Sequence, residues 1–209
     1  MPRVRAPGHE QQREAILRAA VDAFASTGFP SATMAGLARA CGVSKATLYH
    51  YFEGKEALLF EALQRHTAEL LARVDEARAH DAQGPARWAA VVRALMPAYR
   101  RSRAVHAVLI NDVRFLPEPQ HAAIVASQRA IVASIAATID EAFPGRVPPE
   151  RLKATTMALL GMLNFSFAWL RPDGPISHEA FGELVLEISI RGLAGEARDA
   201  QPATARASD

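Results

Sequence analysis

Apolar residues recur along this chain at intervals of three and four. Ile16, Ala20 and Phe24, flanked by Leu17, Val21 and Ala23, fall on one face, and that spacing predicts a helix from about His9 to Thr27. Gly28 stands just beyond its end, where a left-handed residue closes a helix. Thr33 is placed to cap a short second helix running through Ala40. The third helical position there is Gly36 instead of an acid, so the capping box is incomplete and the glycine weakens the helix. Gly42 turns the chain, and Ser44 is placed to cap a third helix, on which Leu48 and Phe52 lie four apart and share an inward face. A long amphipathic helix is predicted over 53–79, with Leu58, Leu59, Ala62, Leu63, Leu70 and Leu71 inward. "HDAQGP" ends it near Gly84 and Pro85. Further helices are predicted at about 86–100, 103–115, 120–143, 149–170 and 178–194, separated by Pro117, Pro119, "PGRVPP" and "RPDGP". Strand alternation is nearly absent and no repeat is visible. The expected class is all-α.

Composition narrows this without redirecting it. A chain of 209 residues, half hydrophobic, can bury a real core as one large domain or two small ones. The net charge of +2 is too small to decide for nucleic acid, so the placement of charge matters more than its sum. Two of the three lysines, Lys45 and Lys55, lie in or just after the short polar third helix. The single cysteine, Cys41, leaves no internal disulfide framework and fits a cytoplasmic protein; it is expected to pack beside the turn. "MPRVRAPGHEQQRE" lacks the apolar core of a signal peptide. "ATTMALLGMLNFSFAWL", Ala154 to Leu170, is interrupted by Thr155, Thr156, Asn164 and Ser166 and falls short of the ~20 apolar residues of a membrane span. It reads as a buried helix, and no membrane partner is expected.

The stretch "CGVSKATLYHYF" carries the chemistry. Helix, turn and helix, with a glycine in the turn, is the geometry that projects a second helix into the major groove. With Leu48 and Phe52 inward, the opposite face presents Lys45, Ala46, Thr47, Tyr49 and His50. Lysine donates to guanine or phosphate, threonine bonds bases and touches the thymine methyl, and tyrosine and histidine donate to phosphate oxygens. Lys55, at the start of the next helix, adds positive charge near a helix N-terminus, where phosphate is favoured. Taken singly, each of these residues is equally a solvated surface group; the register of turn, cap, core pair and polar face is what points to DNA. Enzyme motifs are missing: there is no Gly-rich phosphate loop and no His-x-x-x-His, and "GVSKA" lacks the second glycine of a nucleophile elbow. His106 and His121 lack metal-ligand spacing and read as core or surface residues. No cofactor or metal is expected.

"TMAGLARACGVSKATLYHYFEGKEALL", Thr33 to Leu59, resembles the N-terminal DNA-binding signature of the TetR/AcrR family of bacterial transcription regulators, and the likeness extends upstream through "REAILRAAVDAFASTGFPSAT". Gly36, where an acid is usual, and Cys41, where alanine is usual, depart from it. The resemblance implies a cytoplasmic, all-α homodimer: a three-helix head joined by a long helix to a helical effector-binding and dimerisation domain. The heads of the two copies would read the halves of a palindromic operator. By motif position Thr33, Tyr49, His50 and Lys55 would meet backbone phosphate, with the Ser44 cap beside them, and Lys45, Ala46 and Thr47 would face the bases. Arg3 and Arg5 form a loose basic arm ahead of the first helix. The implied division is 1–53 for the DNA-binding domain, 54–195 for the effector and dimerisation domain, and 196–209 for a disordered tail.

The remaining two-thirds is read for what it senses. The 149–170 helix is apolar almost all round, which predicts enclosure on every side, and Leu184, Val185, Ile188 and Leu193 of the last helix are expected to form part of the dimer interface. Polar residues set in apolar helices need partners. Asp112 is expected to be satisfied internally, while Tyr99, Asn111, Arg114, Phe115, Asn164, Phe167, Trp169 and Arg171 are the expected lining of an effector pocket. "NDVRFLP" and "LLGMLNFSFAWLRPDGPIS" resemble effector domains of family members that govern steroid-ring or phenylacetate catabolism and respond to acyl-CoA thioesters. On that likeness the effector is an acyl- or aryl-CoA thioester, with Arg100, Arg101 or Arg171 near its phosphates. Two other functions fit less of the sequence: a regulator of a drug or other hydrophobic small molecule, and a helical dimeric adaptor without DNA binding, which leaves Lys45, Thr47, Tyr49 and His50 unexplained.

Overall fold

The computed structural model describes residues 7–171 and 173–195, which form ten α-helices and one 3-10 turn with no strand among them. The anticipated basic arm at Arg3 and Arg5 and the tail 196–209 lie outside the described residues. Helices α1 (Pro7–Thr27), α2 (Met34–Ala40) and α3 (Lys45–Tyr51) make the head. The ridge Ile16, Ala20 and Phe24 is buried against Leu37, Leu48 and Phe52. Gly28 closes α1 at φ +78°, donating its N–H to the Phe24 carbonyl at 2.9 Å. Gly42 turns α2 into α3 at φ +65°, a conformation that a side chain would strain. The Cys41 thiol sits behind this turn, 3.5 Å from the Ile16 carbonyl, and burial raises its pKa.

Helix α4 (Lys55–Ala79) serves two cores. Its first half gives Leu58, Leu59, Ala62 and Leu63 to the head; its second half gives Leu70, Val74 and Ala77 to the body. The head core also takes Val108 and Leu109 from α6 (Arg103–Asp112), Leu116 from the following loop and Ile124 from α7 (Glu118–Ala142). Apolar packing thus runs across the chain position where α3 gives way to α4. An ion network reinforces this seam: Arg13 of α1 pairs with Glu61, and Arg65 bridges Glu10, Glu14 and Glu61 at 2.7–3.2 Å.

The body packs α5 (Pro85–Arg101), α7, α8 (Pro149–Asn164) and α10 (His178–Ala194) around Trp88, which is fully buried and donates its indole N–H to Ser189 Oγ at 2.9 Å. Gly182 lets α10 lie close on α5, since a Cβ there would sit 2.6 Å from Met96 Cγ. Helix α7 is long and apolar enough to cross a membrane. Its bulky ridge, Ile124, Ile131, Ile135 and Ile139, is instead buried within the fold, against α4, α5 and α8 among its neighbours, and much of its remaining apolar character is alanine.

Four expectations need correction. The predicted 103–115 helix ends at Asp112 and continues as a 3-10 turn, Val113–Phe115. The predicted 149–170 helix breaks at Phe165, leaving α9 (Ser166–Trp169) as a single turn. It is not enclosed on all sides either: Met157, Phe165 and Trp169 are 49–61% exposed, because its apolar circumference is wider than one copy of the body covers. On α10, Leu184 and Ile188 are exposed as expected of an interface, but Val185 is 1% exposed and belongs to the chain's own core.

Candidate nucleic-acid interface and ligand cavity

The caps fix the orientation of the head helices. Thr33 Oγ1 accepts from Gly36 N–H at 3.1 Å, and Ser44 Oγ accepts from Thr47 N–H at 3.0 Å. The Ser44 hydroxyl also lies 2.8 Å from Thr47 Oγ1, which holds that side chain in one rotamer. Leu48 and Phe52 anchor α3 from beneath at 0% and 3% exposure, which turns Lys45, Ala46, Tyr49 and His50 outward, with Thr47 half-buried among them. The Lys45 ammonium lies 5.8 Å from the Tyr49 ring centroid. His50 stands edge-on to His9 and Tyr51. One helix face therefore carries a cation, a methyl, a fixed hydroxyl, a phenol and an imidazole. Thr33 caps α2 on the exposed side of the same head.

Lys55 does not belong to this face. Its ammonium donates to the carbonyls of Phe29, Pro30 and Ala32 at 3.0, 3.2 and 3.0 Å and lies 4.5 Å from the Phe29 ring centroid. All three of its donors are spent on the α1–α2 turn, so none is left to meet a phosphate. The same turn is held from the opposite side. Phe115 stacks on Phe29 at 5.8 Å and 19°, and Arg114 lies 4.9 Å above Phe115. Burial raises the Asp112 carboxyl, while the Phe29 backbone N–H and the Arg114 charge work against that rise. Asp112 is buried at 7% exposure, close to the Phe29 backbone. Arg114 and Phe115, expected in a pocket, instead join the body to the head, because the 3-10 turn takes them out of the α6 register.

A cavity of about 730 Å³ opens between α5, α6, α7 and α8. Tyr99 and Asn164 line it, and the Tyr99 hydroxyl donates to Asn164 Oδ1 at 2.6 Å. Its walls are mainly apolar, with Leu109, Ile131, Val132, Leu152 and Leu160 prominent. The other anticipated residues lie elsewhere. Asn111 is exposed on α6, and Trp169 packs edge-on against Phe181 at 5.0 Å. Phe167 stands edge-on to His106 with ring centroids 5.9 Å apart, and Arg171 is exposed beyond α9. The break at Phe165 removes these last residues from the α8 register that would have carried them to the cavity. Arg100 pairs with Glu179 at 3.2 Å and Arg101 lies 4.0 Å from Glu69. The cations that do line the cavity are Arg129 and Lys153, both exposed and without an ion-pair partner among the described residues.

Sequence reasoning missed one polar pair altogether. His66 Nε2 and His106 Nδ1 are 3.2 Å apart, at 3% and 2% exposure. Burial lowers the pKa of His66 to about 4 and that of His106 to about 3, with His66 adding to the second shift. Both rings are neutral at ordinary pH. His106 also stacks on Tyr99 at 4.6 Å. The available signal was His66 itself, placed between Leu63 and Leu70 on the inward face of a helix; nothing in the sequence named its partner, 40 residues on.

Residues 16–62 match the family described as bacterial regulatory proteins, tetR family. Residues 81–193 match the tetracyclin repressor-like C-terminal domain. The HTH-type transcriptional activator FasR of Mycolicibacterium smegmatis is 30% identical over 191 residues, spanning 88% of this chain and 84% of FasR. A TetR-family transcriptional regulator from Bordetella parapertussis superimposes with a TM-score of 0.80 at 30% identity, over 85% of this chain and 93% of its own. AibR in complex with isovaleryl coenzyme A and operator DNA does so with a TM-score of 0.72 at 25% identity, over 85% and 97%. A helix-turn-helix head and a matching C-terminal domain together cover most of the molecule, and the chain belongs to the TetR family of bacterial transcription regulators.

Proposed function

We propose that this regulator is a repressor that binds a palindromic operator as a dimer and is released by an acyl- or aryl-CoA thioester. The observation that carries the DNA reading is the outward face of α3, fixed from below by Leu48 and Phe52 and at its start by Ser44. Lys45, Ala46 and Thr47 face base edges, and Thr33, Ser44, Tyr49 and His50 face phosphates. Lys55 acts through the head's geometry instead of through contact. The exposed apolar strip of Met157, Leu184 and Ile188 is the surface that a second copy covers, which sets the two heads ~34 Å apart on successive major grooves.

The effector reading rests on the cavity. Its apolar walls suit an acyl or aryl group, and Arg129 and Lys153, free of acidic partners, suit the phosphates of coenzyme A at the opening. The likeness to AibR, whose structure holds isovaleryl coenzyme A, supports the same class. The test is fluorescence anisotropy on a labelled duplex from just upstream of the chain's own gene. Binding is expected to be salt-sensitive and to weaken with phenylacetyl-CoA. The Arg129→Ala, Lys153→Ala double variant should bind DNA as before and need at least tenfold more thioester for release. Operator binding indifferent to phenylacetyl-CoA and to other acyl-CoA thioesters would discard the effector class.

A further inference from the structure

Three of the cavity's polar side chains lie away from solvent: Tyr99 and His106 are buried, and Asn164 is half-buried. Their hydrogen-bonding capacity is not used up. Tyr99 donates to Asn164 Oδ1, which leaves the two amide hydrogens of Asn164 without a partner among the described residues. His106 spends Nδ1 on His66, and its Nε2 is buried with no hydrogen bond of ordinary geometry among the described residues, the Asn164 backbone lying near the ring as a weak acceptor. Such an under-satisfied nitrogen is uncommon in a folded interior and calls for an explanation. The side chain is 2% exposed, so bulk water does not supply one.

From this geometry we infer that His106 and Asn164 form the polar anchor of the effector cavity, and that they take an uncharged carbonyl oxygen from the ligand. The inference rests on the reading of this cavity as the effector site and adds the chemistry of its buried polar groups. His106 Nε2–H and the Asn164 amide are donors, and a carbonyl oxygen with two lone pairs accepts from both. A carbonyl at Nε2 fixes the His106 tautomer: Nδ1 becomes the acceptor, and His66 must then donate from its own Nε2. The ring is held for this by Tyr99 on one face and Phe167 at its edge. The two cations that line the cavity, Arg129 and Lys153, occupy exposed positions on α7 and α8, and neither is hydrogen-bonded to Tyr99, His106 or Asn164 among the described residues. A carboxylate would therefore be desolvated without a counter-charge. The site selects thioesters, esters and ketones over the corresponding free acids, and over hydrocarbons of the same shape.

Three small probes separate these cases: 4-phenylbutan-2-one, butylbenzene and 4-phenylbutyrate at neutral pH. Binding to the full-length dimer is followed by ligand-observed NMR, and the histidine tautomers by long-range 15N–1H spectra. The ketone is expected to bind at least fivefold more tightly than the acid and to drive His106 to the single Nε2–H tautomer, which butylbenzene should not do. His106→Phe keeps an aromatic ring against Tyr99 but loses the donor. It should lower ketone affinity at least fivefold with butylbenzene unchanged, and His106→Gln should restore part of the difference. If the ketone and butylbenzene both bind, and His106→Phe shifts them in parallel with no tautomer change in the wild type, the anchor is wrong while the cavity stands. If neither enters, the reading of the cavity as a ligand site falls, and the anchor with it.

Discussion

At the scale of single residues, two hydroxyl caps hold the head helices and a buried histidine pair joins α4 to α6. Thr33 and Ser44 cap their helices because a hydroxyl three residues ahead of an unpaired backbone N–H has a local partner, and local partners are visible in sequence. Leu48 and Phe52 followed from helical spacing alone. His66 and His106 meet only through the crossing of α4 and α6, which no local pattern encodes. Their neutrality has a consequence for stability. Each folded pKa lies below the ordinary value of 6.5, so the unfolded chain binds protons more readily as pH falls. The stabilisation is fully present above pH 6.5 and declines as pH drops through 6.5, towards about 4 for His66 and about 3 for His106. Urea denaturation at pH 7.0, 5.5 and 4.5 should show this decline, and the His66→Gln, His106→Gln double variant should flatten it. A slope unchanged in the double variant would place the acid sensitivity elsewhere.

At the scale of elements, periodicity located nearly every helix to within two residues at its start, and failed where helices end inside apolar sequence. The break at Phe165 and the 3-10 turn after Asp112 have no proline or glycine to announce them. Both are settled by what packs beyond: Trp169 on Phe181 and Phe115 on Phe29. The same hidden packing reassigns Lys55, whose place in the family motif suggested a phosphate contact and whose ammonium instead clasps the α1–α2 turn. The two roles separate by salt dependence. Lys45→Met removes a cation that faces base edges inside the groove, and should relax base preference there and lower the slope of log affinity against log salt by at most one contact's worth, ~0.9. Lys55→Met should leave that slope intact while removing three charge-assisted hydrogen bonds, and so lower the melting temperature of the protein. Equal loss of slope in both variants would return Lys55 to the DNA surface.

At the scale of the whole molecule, the apolar packing that joins the head to α6 and α7 ties two sites into one body. Helix α6 lines the cavity with His106 and Leu109 and ends at Asp112, beside the turn that Lys55 grips from the other side. A ligand that moves α6 therefore acts on the head directly as well as through α4. A coupling of ~1–3 kcal/mol would change DNA affinity from several-fold to about a hundredfold. The proposed dimer rests on the excess of apolar surface on the last two long helices, and that surface divides otherwise than expected: Val185 belongs to the chain's own core, while Leu184 and Ile188 are exposed. Leu184→Glu with Ile188→Glu should yield a monomer by light scattering, folded by circular dichroism and weaker on operator DNA by at least tenfold. A dimer surviving both charges would move the interface off α10. The central claim, that the outward face of α3 reads a two-fold DNA site, is tested most directly by selecting binding sites from a pool of random duplexes. The expected outcome is an inverted repeat with half-sites about one helical turn apart, and Thr47→Ala should change the preferred base at one symmetric pair of positions. No enriched sequence, or an enriched site identical in the Thr47→Ala and Lys45→Ala variants, would contradict it.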